Sequence, residues 1–138
     1  MTNLSKTRVL IVEDEPDIAG LMKHALERGG EMDVEIVNTG AAALKCVMEE
    51  PPGLVLLDLN LPKIGGLQVL QRLRSEARTQ FLPVVVLTSS DEDRDLIDGY
   101  RLGANSYVRK PVDFNQFTES VRNLGLYWLV LNRVPPRP

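Results

Sequence analysis

The chain has 138 residues, 43% hydrophobic and 25% charged, with a net charge of −3 and a pI of about 5.2. That is room for one globular domain with its own core; the acidic balance, with basic residues scattered among acids, argues against a nucleic-acid surface. No apolar run reaches the ~20 residues of a membrane span, "MTNLSKTRVLIVEDE" lacks a signal-peptide h-region, and the lone Cys46 excludes an internal disulfide or a cysteine metal cluster, so the cytoplasm is the expected location.

Five short apolar runs recur along the chain: "RVLIV" (8–12), "DVEIV" (33–37), "LVLLD" (54–58), "PVVVLT" (83–88) and "SYVR" (106–109). Val, Ile and Leu dominate them, and three lack polar alternation, as in strands buried on both faces of a parallel sheet. Helical patterns lie between and after them. The first follows "EDEP": Ile18, Leu21, Met22, Ala25 and Leu26 form one stripe, Pro16 sits in the first turn and Gly29 lies beyond the end. "TGAAALKCVMEE" is the second, with Thr39 as N-cap, and "GLQVLQRLRS" the third, with Leu67, Leu70 and Leu73 repeating. "DEDRDLIDGYRLG" opens on acids and closes on Gly103, and the last helix runs from "DFNQF" toward Trp128. Strand and helix alternating five times predict a doubly wound α/β domain; only "RVPPRP" at the end reads as extended chain.

In such sheets ligands bind at the carboxyl ends of the strands. Strand one delivers Glu13 and Asp14, strand three Asp58, strand four Thr88, Ser89 and Ser90, and strand five Lys110 before Pro111. If strands one and three are neighbours, three carboxylates share one cleft, and their repulsion calls for a cation or a proton. An all-oxygen donor set suits a hard ion such as Mg²⁺. Each acid could instead cap a helix. That reading suits Asp14, just before Pro16, but not Asp58, whose following turn is long and glycine-rich. Asp58 is then a candidate nucleophile toward a phosphoryl group. Such transfer needs charge neutralisation above all, which Mg²⁺, Lys110 and the Thr88 hydroxyl could supply.

"VLIVEDE", "LVLLDLNLP…GG", "VVVLTSS" and "SYVRKP" stand in the order and spacing of bacterial response-regulator receiver domains, and residues 7 to 124 resemble that family. The likeness is to the stand-alone, chemotaxis-regulator-like kind. It implies a flavodoxin-like, five-stranded parallel sheet of order 2-1-3-4-5 with five helices. It also implies that Asp58 accepts phosphate from a histidine kinase, with Mg²⁺ held by Asp14, Asp58 and the Asn60 carbonyl and Glu13 helping through water. Thr88 and Tyr107 would be switch residues, Lys110 the phosphate partner, and the peptide before Pro111 cis. Such a protein signals by binding and is not an enzyme. Two departures stand out. Gly65 replaces the acid that many receivers carry before Gly66, which should loosen the loop without touching the chemistry. Ser89 and Ser90 are small where others are bulkier, which bears on phosphate lifetime.

The competing reading is a haloacid-dehalogenase-type phosphohydrolase, but the position of its second acid is Asn60 and its nucleophilic strand would come first. A receiver that binds partners without phosphate would leave the acidic triad, Thr88 and Lys110 unexplained. His24 reads as a surface residue, Cys46 as packing on the second helix, and Tyr100 as packing beside the fourth helix.

Only fourteen residues follow position 124, so output is expected to pass through the receiver surface. Across the last helix and the extension, 125–138, Val121, Leu124, Trp128 and Leu131 form one helical face, while Leu126, Tyr127, Leu129 and Val130 fill the others. A helix apolar all round should be covered all round. The expectation is a homodimer on the last helix and its extension, with Tyr127 or Trp128 near the two-fold axis; the alternative is a bend at Gly125 that folds the segment back. The tail is also similar to that of receivers paired with phytochrome-type kinases, which implies such a kinase as partner.

Overall fold

The computed structural model describes residues 7–88, 93–110 and 113–128. The elements alternate as β1 (Thr7–Val12), α1 (Pro16–Glu27), β2 (Met32–Val37), α2 (Gly40–Glu49), β3 (Leu54–Leu57), α3 (Gly66–Ser75), β4 (Val84–Thr88), α4 (Asp93–Arg101), β5 (Ser106–Arg109) and α5 (Phe114–Leu126). All strand pairs are parallel and their order is β2-β1-β3-β4-β5. This is the flavodoxin-like arrangement, with strand order reversing between β1 and β3. Strand bounds fall within one residue of those expected; β3 stops at Leu57, leaving Asp58 just beyond it.

Successive side chains of each strand point to opposite faces, so the strands feed two separate cores. Val9, Ile11, Leu54, Leu56, Val85 and Leu87 pack with residues of α1 and α5, including Met22, Leu26, Phe117 and Val121. Leu10, Val12, Val55, Leu57, Val84 and Val86 pack with α2 and α3 through Ala43, Val47, Val69 and Leu70. Helix α3 buries Val69, Leu70 and Leu73, while Leu67, expected in its stripe, is only half-buried. The buried stripe keeps Leu70 and Leu73 and takes Gly66 and Val69, each one position before an expected residue, on the three-four spacing of a core-facing helix.

Side chains close several backbone ends. The Thr39 hydroxyl accepts from Ala42 N at 3.1 Å, and Asp113 accepts from Asn115 N and Gln116 N at 2.8 and 3.2 Å. At the free edge of the sheet, Lys23 Nζ donates to Val34 O at 2.8 Å, and Val34 N donates to Glu27 Oε2 at 3.1 Å. Both groups come from α1. Far from Asp58, the Arg74 guanidinium donates to Gly103 O (2.8 Å), Thr79 O (3.1 Å) and Asn105 Oδ1 (2.8 Å), and burial lowers its pKa. Asn105 Oδ1 also accepts from Val84 N at 2.8 Å, so one guanidinium ties α3 to the starts of β4 and β5.

Helix α5 does not bend at Gly125. A Cβ there would stand 2.5 Å from Leu26 Cδ2 and 3.0 Å from Met32 Cε, so the glycine lets α5 lie directly on α1 and β2. Leu124, Leu126 and Trp128 are half-buried against the same core, whereas Tyr127 is 48% exposed. Its ring meets Trp128 edge-on at 5.4 Å. Leu129, Val130 and Leu131 lie outside the described residues. The extension thus begins by covering its own domain, and Tyr127 is the large apolar residue left outward among its described positions.

Candidate functional site

Three strand ends bring three side chains together. Glu13 N donates to Val37 O at 3.0 Å, Asp58 N to Val12 O at 3.0 Å and Lys110 N to Thr88 O at 2.7 Å, so the sheet hydrogen bonding runs into each residue. Glu13, Asp58 and Lys110 continue the strand rows facing α1 and α5, namely Val9–Ile11, Leu54–Leu56 and Val108. Thr88 and Tyr107 belong to the opposite rows, facing α2 and α3. The site therefore has two sides, one holding charge and the other holding the hydroxyl and the ring.

Glu13 and Asp58 are almost fully buried, and Lys110 Nζ donates to both, closely to Glu13 Oε1 and at 3.3 Å to Asp58 Oδ2. Burial pushes the Glu13 carboxyl up to about 7, against the pull of Lys110 and with a further push from Asp58. Burial draws the Lys110 ammonium down, but its bonds to Glu13 and Asp58 outweigh that and leave its pKa raised. Backbone amides complete the cluster: Glu15 N donates to Glu13 Oε2 at 3.3 Å and Asn60 N to Asp58 Oδ1 at 3.2 Å.

Asp14 joins from the exposed rim. One oxygen from each of Glu13, Asp14 and Asp58 lies within 4.8 Å of the others. Oxygen ligands around Mg²⁺ sit about 2.1 Å from the ion, hence about 3 to 4 Å from one another; these all-oxygen donors match a hard cation in type.

Gly66, the first residue of α3, presses on the backbone at Asp58. A Cβ on it would stand 2.4 Å from Asp58 O and 2.7 Å from Leu59 Cα, and Gly66 N donates to Leu59 O at 3.1 Å. Gly65 is different: a Cβ there meets only Leu59 O, at 3.9 Å. Its amide donates to Gln68 Oε1 at 3.1 Å, which orders a loop the sequence suggested was loose.

Other expected residues fall as follows. Thr88 is fully buried at the end of β4. Tyr107 is half-buried one strand over, opposite Val86, and its ring lies against α4 where Gly99 has no side chain, 3.2 Å from the place of a Cβ. Ser89, Ser90 and Pro111, with its expected cis peptide, lie outside the described residues. His24 is exposed; Cys46 is half-buried on α2 beside Glu35. Tyr100 is 51% exposed on α4, not packed as expected, because it lies on that helix's outer side with Leu96 and Ile97.

The family model of the response regulator receiver domain matches residues 9–122. The chain is a response-regulator receiver domain. The receiver is 39% identical over 134 residues to the probable methanogenesis regulatory protein FilR2 of Methanothrix harundinacea, covering 92% of this chain and 86% of that one. It is 38% identical over 117 residues to the DNA-binding dual master transcriptional regulator RpaA of Synechocystis sp., with 85% of this chain covered. It spans 48% of RpaA, about half the length of several such relatives.

Among solved structures it is similar to the phosphorylated cyanobacterial phytochrome response regulator RcpA, with a TM-score of 0.89 and 30% identity, covering 96% of this chain and 100% of that one. It is also similar to the bacteriophytochrome response regulator RtBRR, at 42% identity and a TM-score of 0.72, covering 96% and 86%. Phosphorylation on an aspartate and Mg²⁺ binding at an acidic pocket are typical of receivers, which interact with histidine kinases. The family is one of signalling domains rather than catalysts, and no finding favours the haloacid-dehalogenase reading. Among the described residues no helix is long and apolar enough to cross a membrane.

Proposed function

We propose that this receiver, residues 7–124 with the extension 125–138, takes a phosphoryl group from a histidine kinase onto Asp58 and signals through protein contacts in the cytoplasm. The observation that carries the reading is the placement of Asp58 Oδ2, buried and 3.3 Å from Lys110 Nζ beside two further acids. An Asp58 oxygen forms the new bond to phosphorus as the bond to the kinase's histidine nitrogen breaks. Asp14, Asp58 and the Asn60 carbonyl would hold Mg²⁺, with Glu13 acting through water. When bound, the ion would neutralise charge on the transferring group. Lys110 is placed to transfer its hydrogen bond from Asp58 to a phosphoryl oxygen. Thr88 donates to that group, and the space its hydroxyl vacates receives the Tyr107 ring; this differential contact is what shifts a two-state equilibrium.

Incubation with acetyl phosphate and Mg²⁺ should add one phosphoryl group, and Asp58→Asn should abolish it. Labelling that persists at another residue in that variant would sink the assignment. The likeness to RcpA and RtBRR supports a phytochrome-type kinase as partner, and phosphotransfer profiling against histidine kinases tests it. The exposed Tyr127 ring supports a homodimer through α5 and the extension. Light scattering should show a dimer that Tyr127→Glu dissociates; a monomeric parent chain would defeat it.

A further inference from the structure

We propose that Gly66 is a positioning residue for phosphorylation: the bare α-carbon of Gly66 against the Asp58 carbonyl sets the direction of the Asp58 carboxylate. The proposal rests on the reading of Asp58 as the phosphoacceptor. Asp58 lies one residue past the end of β3, so on its far side the sheet no longer fixes it. Two contacts replace the ladder. Gly66 N donates to Leu59 O at 3.1 Å, and the Gly66 α-carbon lies so close that a Cβ would fall 2.4 Å from Asp58 O and 3.1 Å from Asp58 C. Both atoms it would strike are backbone, which cannot rotate away as a flexible side chain would.

Any side chain at 66 must therefore move either the first turn of α3 or the peptide that joins Asp58 to Leu59. Helix α3 is held by its buried Val69, Leu70 and Leu73, so the movement falls on the Asp58 peptide. The Asp58 carboxylate would turn relative to Lys110 and Glu13, whose own strands are unaffected. Gly65 serves as an internal control, because its missing side chain faces room rather than backbone.

The test compares the full chain with Gly65→Ala, Gly66→Ala and a Gly20→Ala/Gly66→Ala pair, using acetyl phosphate and Mg²⁺ as the probe. Gly20 is a helical glycine whose added Cβ would meet nothing within 4 Å, so Gly20→Ala restores stability without approaching the site. The expected result is a phosphorylation rate lowered about ten-fold or more by Gly66→Ala, as sub-ångström misplacement of a reacting group predicts. The rate should stay low in the stabilised pair, while Gly65→Ala remains within about two-fold of the parent. In metal-free protein the amide resonances of Leu59 and Asn60 should move in Gly66→Ala and stay in place in Gly65→Ala. Recovery of the rate in the stabilised pair, or an unchanged rate in Gly66→Ala, would overturn the proposal, as would failure of both Gly66 variants to fold, which would assign the contact to folding alone. A parent chain that takes no phosphate at Asp58 would instead refute the functional reading beneath it.

Discussion

Lys110 Nζ lies between two buried carboxylates, in close contact with Glu13 and 3.3 Å from Asp58. One ammonium thus compensates two acids. Lys110→Met should leave the pair unneutralised and remove a donor to the transferring phosphoryl group. Losing a preorganised donor of this type costs about 10²-fold in rate. Acetyl-phosphate kinetics at saturating Mg²⁺ should show a drop of that order, and a rate within a few-fold of the parent would remove Lys110 from the chemistry.

Glu13 gives the site a pH dependence. Its folded-state pKa, near 7, lies above the ordinary 4.5, so between those values the folded chain keeps a proton that the unfolded chain has shed. Stability linked to Glu13 is fully present below 4.5 and is lost as the pH rises through about 7. A cation competes with that proton, so Mg²⁺ affinity should weaken by up to about ten-fold per pH unit below 7. Calorimetry at pH 6, 7 and 8 in buffers of different ionisation heat should detect proton release at the lower pH values.

At the other end of the sheet, Arg74→Lys keeps the charge and loses the planar fork that reaches Gly103, Thr79 and Asn105 together. Losing hydrogen bonds made by a charged, part-buried group costs about 1.5–3 kcal/mol. Urea unfolding should show a loss in that range, and hydrogen exchange should rise at the Gly103–Asn105 amides while the β1 amides keep their protection relative to global unfolding.

Glu27→Ala should expose the sheet edge. It removes the acceptor of Val34 N and the partner of Lys23, at a cost of about 1–2 kcal/mol. A bared edge strand invites pairing with another chain. Light scattering at rising concentration should then detect assemblies larger than any the parent forms.

Most of the fold was legible because it rests on local pattern. The Val-, Ile- and Leu-rich runs located all five strands, and the α1 stripe and the Thr39 cap were readable from spacing. The convergence of Glu13, Asp58 and Lys110 followed from the rule that strand ends meet, and the structure brings those three into direct contact. What stayed hidden depends on distance in space. Nothing local distinguishes Gly65 from Gly66, yet only Gly66 abuts the Asp58 carbonyl. Nothing in "LRSEAR" marks Arg74 out, because its three acceptors lie 5 to 31 residues away. The alternative reading of the tail failed for the same reason: Gly125 is not a bend but the gap through which α5 reaches Leu26.

The two-sided alternation of the strands has a consequence for how such a chain can change in length. Val9 and Ile11 face one core, Leu10 and Val12 the other, and Glu13 follows from that count. Deleting a single residue inside β1 would turn every later side chain of the strand to the wrong core and offer Asp14 where Glu13 belongs. Deletions of two would restore the facing but draw the acid back from Lys110 by about 6.6 Å. Insertions and deletions are therefore tolerated only where no count is kept, as around the exposed Phe81 between α3 and β4.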